Sequence, residues 1–365
     1  MKVKKLSFKN YRNLKEGYIC PCENINIIHG NNAQGKTNLL ESIWLFTGGR
    51  SFRGSKDFEL INFEDKDKAE INLDFFSKGR EQNLKIILNS KNKKREIYLN
   101  NVKKKSNFEI IGNFCCVVFS PVHLSLIKDG PNLRRKFLDT AICQIKPSYV
   151  SHVIKYNKIL NQRNALLKVL KNDSNLIDTL EIWDKKLAKE SYFIIKDREE
   201  YILKLNEKSK EIYSGISGKK ENMSIFYENS LKLKDINENI IFETLRKNLK
   251  EDLILGFTNK GIHRDDLIIK INDKNAKAYA SQGQQRSAVL SLKLSEAFLL
   301  KEEIKESPIL LLDDVMSELD INRQKFLLEN IKNWQVFLST CEEINKIEDN
   351  FNDLKVFEIN NGKAN

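Results

Sequence analysis

Eight residues near the N-terminus have the types and the spacing of a phosphate-binding loop. They match the pattern G-x-x-x-x-G-K-[ST] and are Gly30, Asn31, Asn32, Ala33, Gln34, Gly35, Lys36 and Thr37. In such a loop the backbone N–H groups surround phosphate oxygens, the lysine reaches the β- and γ-phosphates, and the threonine hydroxyl ligates Mg²⁺. A glycine-rich turn before an ordinary helix is the alternative. We predict that these residues bind ATP, that Lys36 is catalytic and that Thr37 is a Mg²⁺ ligand.

Two aspartates follow the apolar run in "SPILLLDDV" and suit the metal side of the same site. We expect Asp313 to hold Mg²⁺ directly or through water, because a P-loop ATPase needs an acidic residue at a strand end. We expect Asp314 to be catalytic, as a general base or as the group that orients the attacking water. An apolar strand followed by two aspartates also fits a turn or a helix cap. The pairing with the loop favours the catalytic interpretation.

A second candidate anion site lies at the start of a predicted long helix in "YASQGQQRSAVLSLKLSEAFLL". Ser281, Gln282 and Gly283 stand at this start. The serine can cap the helix and the glycine permits close approach, so free N–H groups can bind an anion. An ordinary capped core helix explains the stretch as well. Because this site is so far along the chain from the loop, we expect it to close on a nucleotide held by another subunit of a two-fold dimer.

Strands and helices follow one another in blocks that could position these residues. The run "NINII" predicts a strand before the loop and "NLLESIWLF" predicts a helix after it. Residues 1 to about 120 are strand-rich, residues from about 130 to 215 are helical, and strands return after about 250. Four consecutive apolar residues, 309–312, predict a strand covered on both faces, as in a parallel sheet.

The α/β material is therefore split by a helical insertion. We predict an α/β head built from residues 1–125 and 245–365, and a mainly helical lobe over 126–244. In the insertion, one helical stripe is formed by Leu176, Leu180, Trp183 and Leu187. This stripe fits a packed helical bundle, with a coiled-coil arm as the alternative.

Composition limits the class of protein. The chain has 365 residues, 41% of them hydrophobic, which is enough for a sizeable core. A net charge of +12 and a pI near 9.2 favour a polyanionic partner. No apolar run approaches the roughly 20 residues that cross a bilayer, so we expect a cytoplasmic protein without a membrane partner. The six cysteines have the spacing of neither a disulfide framework nor a zinc site.

Several motifs along nearly the whole chain resemble those of one protein family. They are "FKNYRNL", "GNNAQGKTNLLESI", "GGRSFRG", "VVFSP", "IKDGPNLRRKFLD", "QRNALLK", "LEIWDKKLA", "HRDDL", "SQGQQR" and "LLLDDVMSELD". The chain resembles the RecF family of bacterial recombinational repair ATPases, which belongs to the ABC-type group that includes the SMC proteins. The resemblance implies an ABC-type P-loop ATPase head built from both ends of the chain.

The resemblance also implies a composite site and a set of partners. "SQGQQR" is similar to the ABC signature, and Ser317 and Asp320 fall in a segment similar to the D-loop that crosses the dimer interface. ATP binding would join two heads into a homodimer that clamps duplex or gapped DNA, and slow, DNA-stimulated hydrolysis would release it. RecR and RecO would be protein partners, and the protein would be associated with the nucleoid.

Some positions remain open between two interpretations. Arg12, Arg50 and Arg53 match family positions near the nucleotide and are candidate nucleotide or DNA contacts, or simply solvated arginines. The run His263-Arg264-Asp265-Asp266 is either a polar turn or part of the response to nucleotide or DNA. Many ABC proteins carry a histidine after the last core strand, but this chain has Thr340 and Cys341 there, so we assign no phosphate-sensing histidine.

Two other functions are compatible with the loop. The first is the ATPase subunit of a transporter, but the distance of 283 residues from Gly30 to Asp313 (313 minus 30) and the basic helical insertion are unfavourable to it. The second is a structural clamp that binds nucleotide without turnover. The presence of Asp314 argues against that clamp.

Overall fold

The computed structural model describes residues 1–64, 67–91, 93–170, 177–233, 235–341 and 353–364. The strands are β1 Lys2–Tyr11, β2 Leu14–Ile19, β3 Ile25–His29, β4 Lys68–Ser77, β5 Arg80–Asn89, β6 Lys94–Leu99, β7 Val102–Lys104, β8 Cys116–Phe119, β9 Met223–Glu228, β10 Asp266–Ile271, β11 Lys274–Asn275, β12 Ile309–Asp313, β13 Val336–Thr340, β14 Leu354–Asn360 and β15 Lys363–Ala364. The helices are α1 Lys36–Trp44, α2 Ser125–Lys128, α3 Pro131–Ile145, α4 Pro147–Leu170, α5 Ile177–Ile216, α6 Glu238–Lys247, α7 Leu249–Leu255, α8 Ala276–Tyr279, α9 Gln282–Ile304 and α10 Ile321–Asn330.

The chain forms two compact units. The first unit contains Met1–Leu124, Ile212–Lys220 and Ser281–Asn365, and the second contains Ser125–Glu211 and Glu221–Ala280. The first unit thus combines segments from both ends of the chain. Residues 245–280 group with the second unit, whereas the sequence pattern assigned them to the head. These two units are defined by the packing of the chain and not by function, so the predicted lobe boundaries stay predictions.

A mostly parallel sheet organises the first unit. Its strand order is β15-β14-β3-β13-β12-β8, and β14, β3, β13, β12 and β8 run parallel. Every residue of β12 is buried, as predicted for a strand covered on both faces. Because parallel strands end at the same edge, the residues that follow β3, β8, β12 and β13 lie near one another.

A second, antiparallel sheet and α1 complete this unit's core. The sheet has the order β2-β1-β4-β5-β6-β7, and β4 alternates buried and more exposed residues along its length. One apolar cluster joins side chains of both sheets with Leu39, Leu40 and Ile43 of α1. The helix that follows the phosphate-binding loop is therefore fixed by burial on several sides.

The second unit is mainly helical. It contains α3, α4, most of α5, α6 and α7, together with the small sheet β11-β10-β9. Leu180 of the predicted stripe packs with Leu167, Leu170 and Leu249, as the packed-bundle interpretation expects. Leu187 is buried and Trp183 is half-buried, while Leu176 lies outside the described residues. No helix within the described ranges is both long and apolar enough to cross a membrane.

A buried ionic cluster lies inside the second unit. The Arg163 guanidinium is fully buried and donates to Asp184 Oδ1 at 2.6 Å, Asp252 Oδ2 at 2.7 Å and Thr258 Oγ1 at 2.7 Å. Asp184 and Asp252 are buried as well. The cluster ties α4 and α5 to the end of α7. Burying charged groups costs free energy, and the attraction between the opposite charges offsets this cost only while both partners are present.

We expect Arg163→Ala to destabilise the protein strongly. The substitution leaves two carboxylates buried without their cation, which costs about 3–5 kcal/mol. The matched control is Arg246→Ala, because Arg246 reaches Asp184 only at 3.5 Å and is 32% exposed; its cost should stay below about 1 kcal/mol. Urea unfolding of both variants measures the difference. Equal losses in the two variants would contradict the structural role of the cluster.

Candidate functional site

The loop between β3 and α1 has the backbone of a phosphate cradle. Gly30 and Gly35 have φ of 151° and 118°, which favour glycine, and Ala33 is also left-handed at 65°. The Lys36 ammonium is directed to the loop itself, donating to the carbonyls of Gly30 at 2.6 Å and Asn31 at 2.9 Å. The lysine is 8% exposed. The positive charge of Lys36 therefore lies against the loop.

The strand end of β12 brings Asp313 to this loop. The Thr37 hydroxyl donates to Asp313 Oδ1 at 2.7 Å, and the Ser339 hydroxyl donates to the same oxygen at 3.0 Å. The Ser120 hydroxyl lies 3.4 Å from Oδ2. Burial raises the pKa of Asp313 above its ordinary value, and the hydrogen bonds from Thr37 and Ser339 oppose that rise.

This donor set fits magnesium. Carboxylate and hydroxyl oxygens are the ligands that Mg²⁺ prefers, and it usually keeps several waters when it binds nucleotides. Groups of three or more His, Cys, Asp or Glu that could form a metal cage do not occur among the described residues. A site with one carboxylate and one hydroxyl therefore suits a metal that arrives with phosphate ligands.

Asp314 occupies a strained backbone position beside Asp313. Its φ is 51°, a left-handed value that is uncommon for a residue other than glycine. Its backbone N–H donates to Ser339 Oγ at 3.0 Å, which holds the turn. The side chain is exposed and lines the same cavity as the loop. An ionised carboxylate next to the metal position is what a general base or water-orienting group requires.

A cavity of about 1020 Å³ opens over these residues. Residues 32–38 line one side, Asp313 and Asp314 another, and Phe63 lies at the wall with a side chain that is 82% exposed. The volume is large enough for a nucleoside triphosphate. The loop, Asp313 and Asp314 thus line one cavity, and their roles stay predictions.

The three candidate arginines do not share one environment. Arg12 and Arg53 line the cavity, and Arg53 Nη1 donates to Asn38 Oδ1 at 2.9 Å. Arg50 is exposed and is not among the described residues that line the cavity. Its carbonyl accepts a hydrogen bond from Trp44 Nε1 at 2.8 Å. Arg12 and Arg53 therefore lie at the cavity and Arg50 does not, while the contacts of all three with nucleotide or DNA stay predictions.

Glu41 is a site residue that the sequence analysis missed. It is fully buried on α1, and Arg12 donates to both of its oxygens, at 2.5 and 3.1 Å. Tyr11 and Ser51 also donate to this carboxylate. Burial and the neighbouring Glu41 charge raise the pKa of Tyr11. The available signal was an acidic residue inside the apolar run "NLLESIWLF".

The signature segment begins α9 as predicted. Ser281 caps the helix by accepting from Gln284 N at 3.3 Å, and the Gln284 side chain accepts from Ser281 N at 2.8 Å. Ser281 and Gln282 are exposed, and Gly283 is half-buried. In the part of the chain that the structure describes, these three residues do not line the loop cavity. Closure on a partner's nucleotide stays a prediction.

The D-loop candidates lie beside the signature helix. The Ser317 hydroxyl donates to the carbonyl of Asp314 at 2.9 Å, and Asp320 caps α10; both residues are exposed. Arg323 connects the two segments by donating to the carbonyl of Gly283 at 3.2 Å and to Ser287 Oγ at 2.8 Å. Arg323 thus ties the start of α10 to the start of α9.

The His263–Asp266 run lies in the second unit and is largely used for internal contacts. His263 Nδ1 lies 2.6 Å from the hydroxyl of Tyr156. Asp265 accepts from the N–H of Ser230 at 2.8 Å. Asp266 forms a two-pronged ion pair with Arg134, with both hydrogen bonds at 2.7 Å.

Two arginines, one within this run and one on α3, have different environments. Arg264 is exposed and stacks over the Phe257 ring at 5.6 Å. Arg135 donates to the carbonyl of Asp265 at 2.6 Å. The contacts favour the polar-turn interpretation for His263, Asp265 and Asp266.

The position after β13 is occupied by a thiol. Lys36 Nζ lies 3.0 Å from Cys341 Sγ, and the thiol donates to Asn32 Oδ1 at 2.9 Å. Cys341 is exposed, and it lines the cavity. The thiol that follows β13 therefore contacts Lys36 directly.

Fold and site together define an ABC-type P-loop ATPase head: a loop and an acidic strand end meet at one edge of a parallel sheet, and a capped signature helix stands apart from them. The family described as RecF/RecN/SMC N terminal domain matches residues 2–364. The chain belongs to this family.

Curated relatives and solved structures agree with this assignment. The DNA replication and repair protein RecF of Acetivibrio thermocellus is 42% identical over 370 residues, covering 100% of both chains. A solved structure of the recombination mediator protein RecF with ATP, in the RecFOR pathway, has a TM-score of 0.90 at 39% identity, covering 100% of this chain and 97% of that one. The Smc head domain of Pyrococcus furiosus shares the fold, with a TM-score of 0.56 at 17% identity over 100% of this chain and 95% of that one.

We expect the free energy of unfolding to decrease as the pH falls, because His263 is held in its neutral form in the folded protein. Burial lowers the pKa of His263 to about 4, from 6.5, so the unfolded chain takes up a proton between those values and the folded chain does not. Stability is therefore full above pH 6.5 and decreases as the pH falls toward 4, by at most about 1.4 kcal/mol per pH unit from this group.

Urea unfolding of wild type and His263→Gln at several pH values between 7 and 4.5 measures this effect. The glutamine keeps a polar side chain near Tyr156 but cannot titrate, so the acid loss of the variant should be shallower. Parallel pH curves for the two proteins would show that His263 does not contribute.

Proposed function

We propose that this chain is an ATP-dependent DNA-binding protein of replication and recombinational repair that dimerises on ATP and hydrolyses it slowly. The observation that carries the proposal is the meeting of Lys36, Thr37 and Asp313 at one strand edge, with the Thr37 hydroxyl 2.7 Å from Asp313 Oδ1. Relatives that match the whole chain are DNA replication and repair proteins, and a solved relative holds ATP.

The residues of the loop would bind and orient the triphosphate. Backbone N–H groups of residues 30–37 would surround its oxygens, and Lys36 would exchange its loop carbonyl contacts for the β- and γ-phosphates. Mg²⁺, held by Thr37 and Asp313, would neutralise charge on the phosphates. Arg12, held in place by its ion pair with the buried Glu41, would present guanidinium N–H donors at the cavity.

Asp314 would act on the attacking water. Its exposed carboxylate lines the cavity beside the metal position, so it can accept a proton from the water or orient it toward the γ-phosphorus. The backbone hydrogen bond to Ser339 holds the strained turn that carries it. The hydrolysis rate would be low until bound DNA completes the arrangement of the catalytic groups.

The signature segment would complete the site of a second copy. Ser281, Gln282 and Gly283 have exposed or half-exposed positions at the N-terminus of a 23-residue helix, where N–H groups favour an anion. Two copies related by a two-fold axis could each place this segment against the other's triphosphate. The exposed Ser317 and Asp320 of the D-loop candidate would then lie at the interface.

DNA is the polyanion that the charge favours. The net charge is +12, and phosphate contacts with lysine and arginine are strengthened by counterion release. The solved relative is a recombination mediator protein of the RecFOR pathway. We therefore propose duplex and gapped DNA as ligands and RecO and RecR as protein partners, in the cytoplasm and associated with the nucleoid.

We expect ATP to convert the wild-type protein into a dimer that binds gapped DNA more tightly. Sedimentation with ATP should show the dimer, and DNA binding with and without ATP at fixed salt should show the gain. Ser281→Arg should retain ATP binding but lose the dimer, because the bulky cation blocks the trans contact, whereas Lys36→Arg should weaken ATP binding itself. A wild type that stays monomeric with ATP, and binds DNA no better, would remove the composite-site mechanism.

Asp314→Asn should separate nucleotide binding from turnover. Loss of a general base lowers rates by about 10²–10⁴-fold, so steady-state phosphate release should fall by at least about 10²-fold while ATP binding stays near the wild-type value. The matched control is Asp273→Asn, which changes another exposed aspartate with a left-handed φ, 63°, that is not among the described residues lining the cavity; it should keep both ATP binding and phosphate release. An unchanged rate in Asp314→Asn would favour the alternative of a nucleotide-bound clamp in which this residue is not catalytic.

A further inference from the structure

The C-terminal hairpin ends beside the phosphate-binding loop. Strand β14 runs parallel to β3, with Glu358 opposite His29, so both strands deliver their following residues to the same edge of the sheet. Strand β14 continues into a tight turn, Asn361-Gly362, and returns as β15. Asn361 and Gly362 have φ of 47° and 76°. The turn therefore arrives where residues 30–37 begin.

Three backbone contacts join this hairpin to the site. The N–H of Asn361 donates to Gln34 Oε1 at 2.7 Å, so a side chain of the loop itself caps the turn. The N–H of Lys15 donates to the carbonyl of Gly362 at 3.1 Å. Gly30 packs so closely on the hairpin that a Cβ at this position would lie 2.5 Å from the carbonyl oxygen of Ile359.

Asn13 connects the turn to the other half of the loop. Its Nδ2 donates to the carbonyl of Ala33 at 3.1 Å, and its Oδ1 accepts from Asn38 Nδ2 at 2.7 Å. A Cβ on Gly35 would lie 2.6 Å from that same Oδ1. On the opposite side, a Cβ on Gly362 would overlap the carbonyl oxygen of Asn13. The turn therefore packs against Asn13, and Asn13 packs against the loop, with no room for a side chain at Gly35 or Gly362.

The loop needs such support. Ala33, in the middle of the loop, has φ of 65°. This left-handed conformation is unfavourable for alanine, so it persists only where surrounding contacts hold the backbone in place. The contacts that surround it are the Asn13 amide on its own carbonyl and the Asn361 N–H on its neighbour Gln34. Neither contact uses a group that the phosphate pattern G-x-x-x-x-G-K-[ST] specifies.

We propose that the turn Asn361-Gly362 is a positioning element of the ATP site, which holds residues 30–37 in the phosphate-binding conformation through Gln34 and Asn13. This inference rests on the proposed binding of ATP at the loop. It makes the nucleotide affinity of the N-terminal loop depend on the last strands of the chain.

The test compares two alanine substitutions at hairpin glycines. Gly362→Ala should displace Asn13 and the loop, whereas Gly79→Ala is the matched control: Gly79 also has a left-handed φ, 73°, in a hairpin turn, but a Cβ there meets nothing within 4 Å. Both variants therefore carry similar backbone strain. Gly362→Ala should weaken ATP binding by about tenfold relative to Gly79→Ala, because a pre-organised site is lost.

Hydrogen exchange provides a readout without nucleotide. Amides of residues 30–38 should exchange faster in ligand-free Gly362→Ala than in Gly79→Ala. Gln34→Ala removes the acceptor of the Asn361 N–H, but Gln34 also lines the cavity, so its deciding readout is exchange in the ligand-free protein. That exchange should rise by less than in Gly362→Ala, and it decides the question if Gly362→Ala does not fold. Exchange and ATP affinity at the control level in both Gln34→Ala and Gly362→Ala would overturn the inference. A wild type that binds no ATP would instead refute the proposed function, and the exchange data would still judge the hairpin.

Discussion

The parallel alignment of β3, β13 and β12 is the constraint on which the site depends. Parallel strands end at one edge of a sheet, so residues that are 283 positions apart in the chain, Gly30 and Asp313 (313 minus 30), come together without any local sequence relation. The resulting hydrogen bond between Thr37 and Asp313, at 2.7 Å, joins the loop to the acidic strand end. A sheet with another strand order would leave both segments intact but apart.

Burial then converts this meeting point into a defined geometry. The apolar cluster around α1 fixes the helix that carries Lys36 and Thr37, and Glu41 on the same helix is buried with Arg12, Tyr11 and Ser51 as its donors. An unpaired carboxylate in such surroundings is costly, so the four groups hold one another in place. The strained residues Ala33 and Asp314 have left-handed conformations, and hydrogen bonds to Asn13 and Ser339 hold their backbone.

Sequence patterns predicted the features that depend on local chemistry. The loop, the fully buried β12, the serine cap of α9 and the membership of the ATPase family were all predicted from motifs and apolar runs, and the fold class is confirmed by the structure and the relatives. The roles of Glu41 and Asn13 were missed, because each acts through a partner distant in the chain. The open choice at His263–Asp266 was narrowed by contacts with Tyr156, Ser230 and Arg134 that no spacing encodes.

The amino-acid sequence by itself predicted a glycine-rich loop before a helix, an acidic end to a buried strand and a serine-capped long helix, because these depend on residue type and short spacing. Only the tertiary structure decided which residues meet. It placed Arg12 and Arg53 at the cavity and Arg50 away from it, and it set Cys341 against Lys36. It also brought the C-terminal hairpin to the N-terminal loop. The physical reason is that strand pairing and burial, which bring distant segments together, are properties of the whole chain and not of any stretch of it.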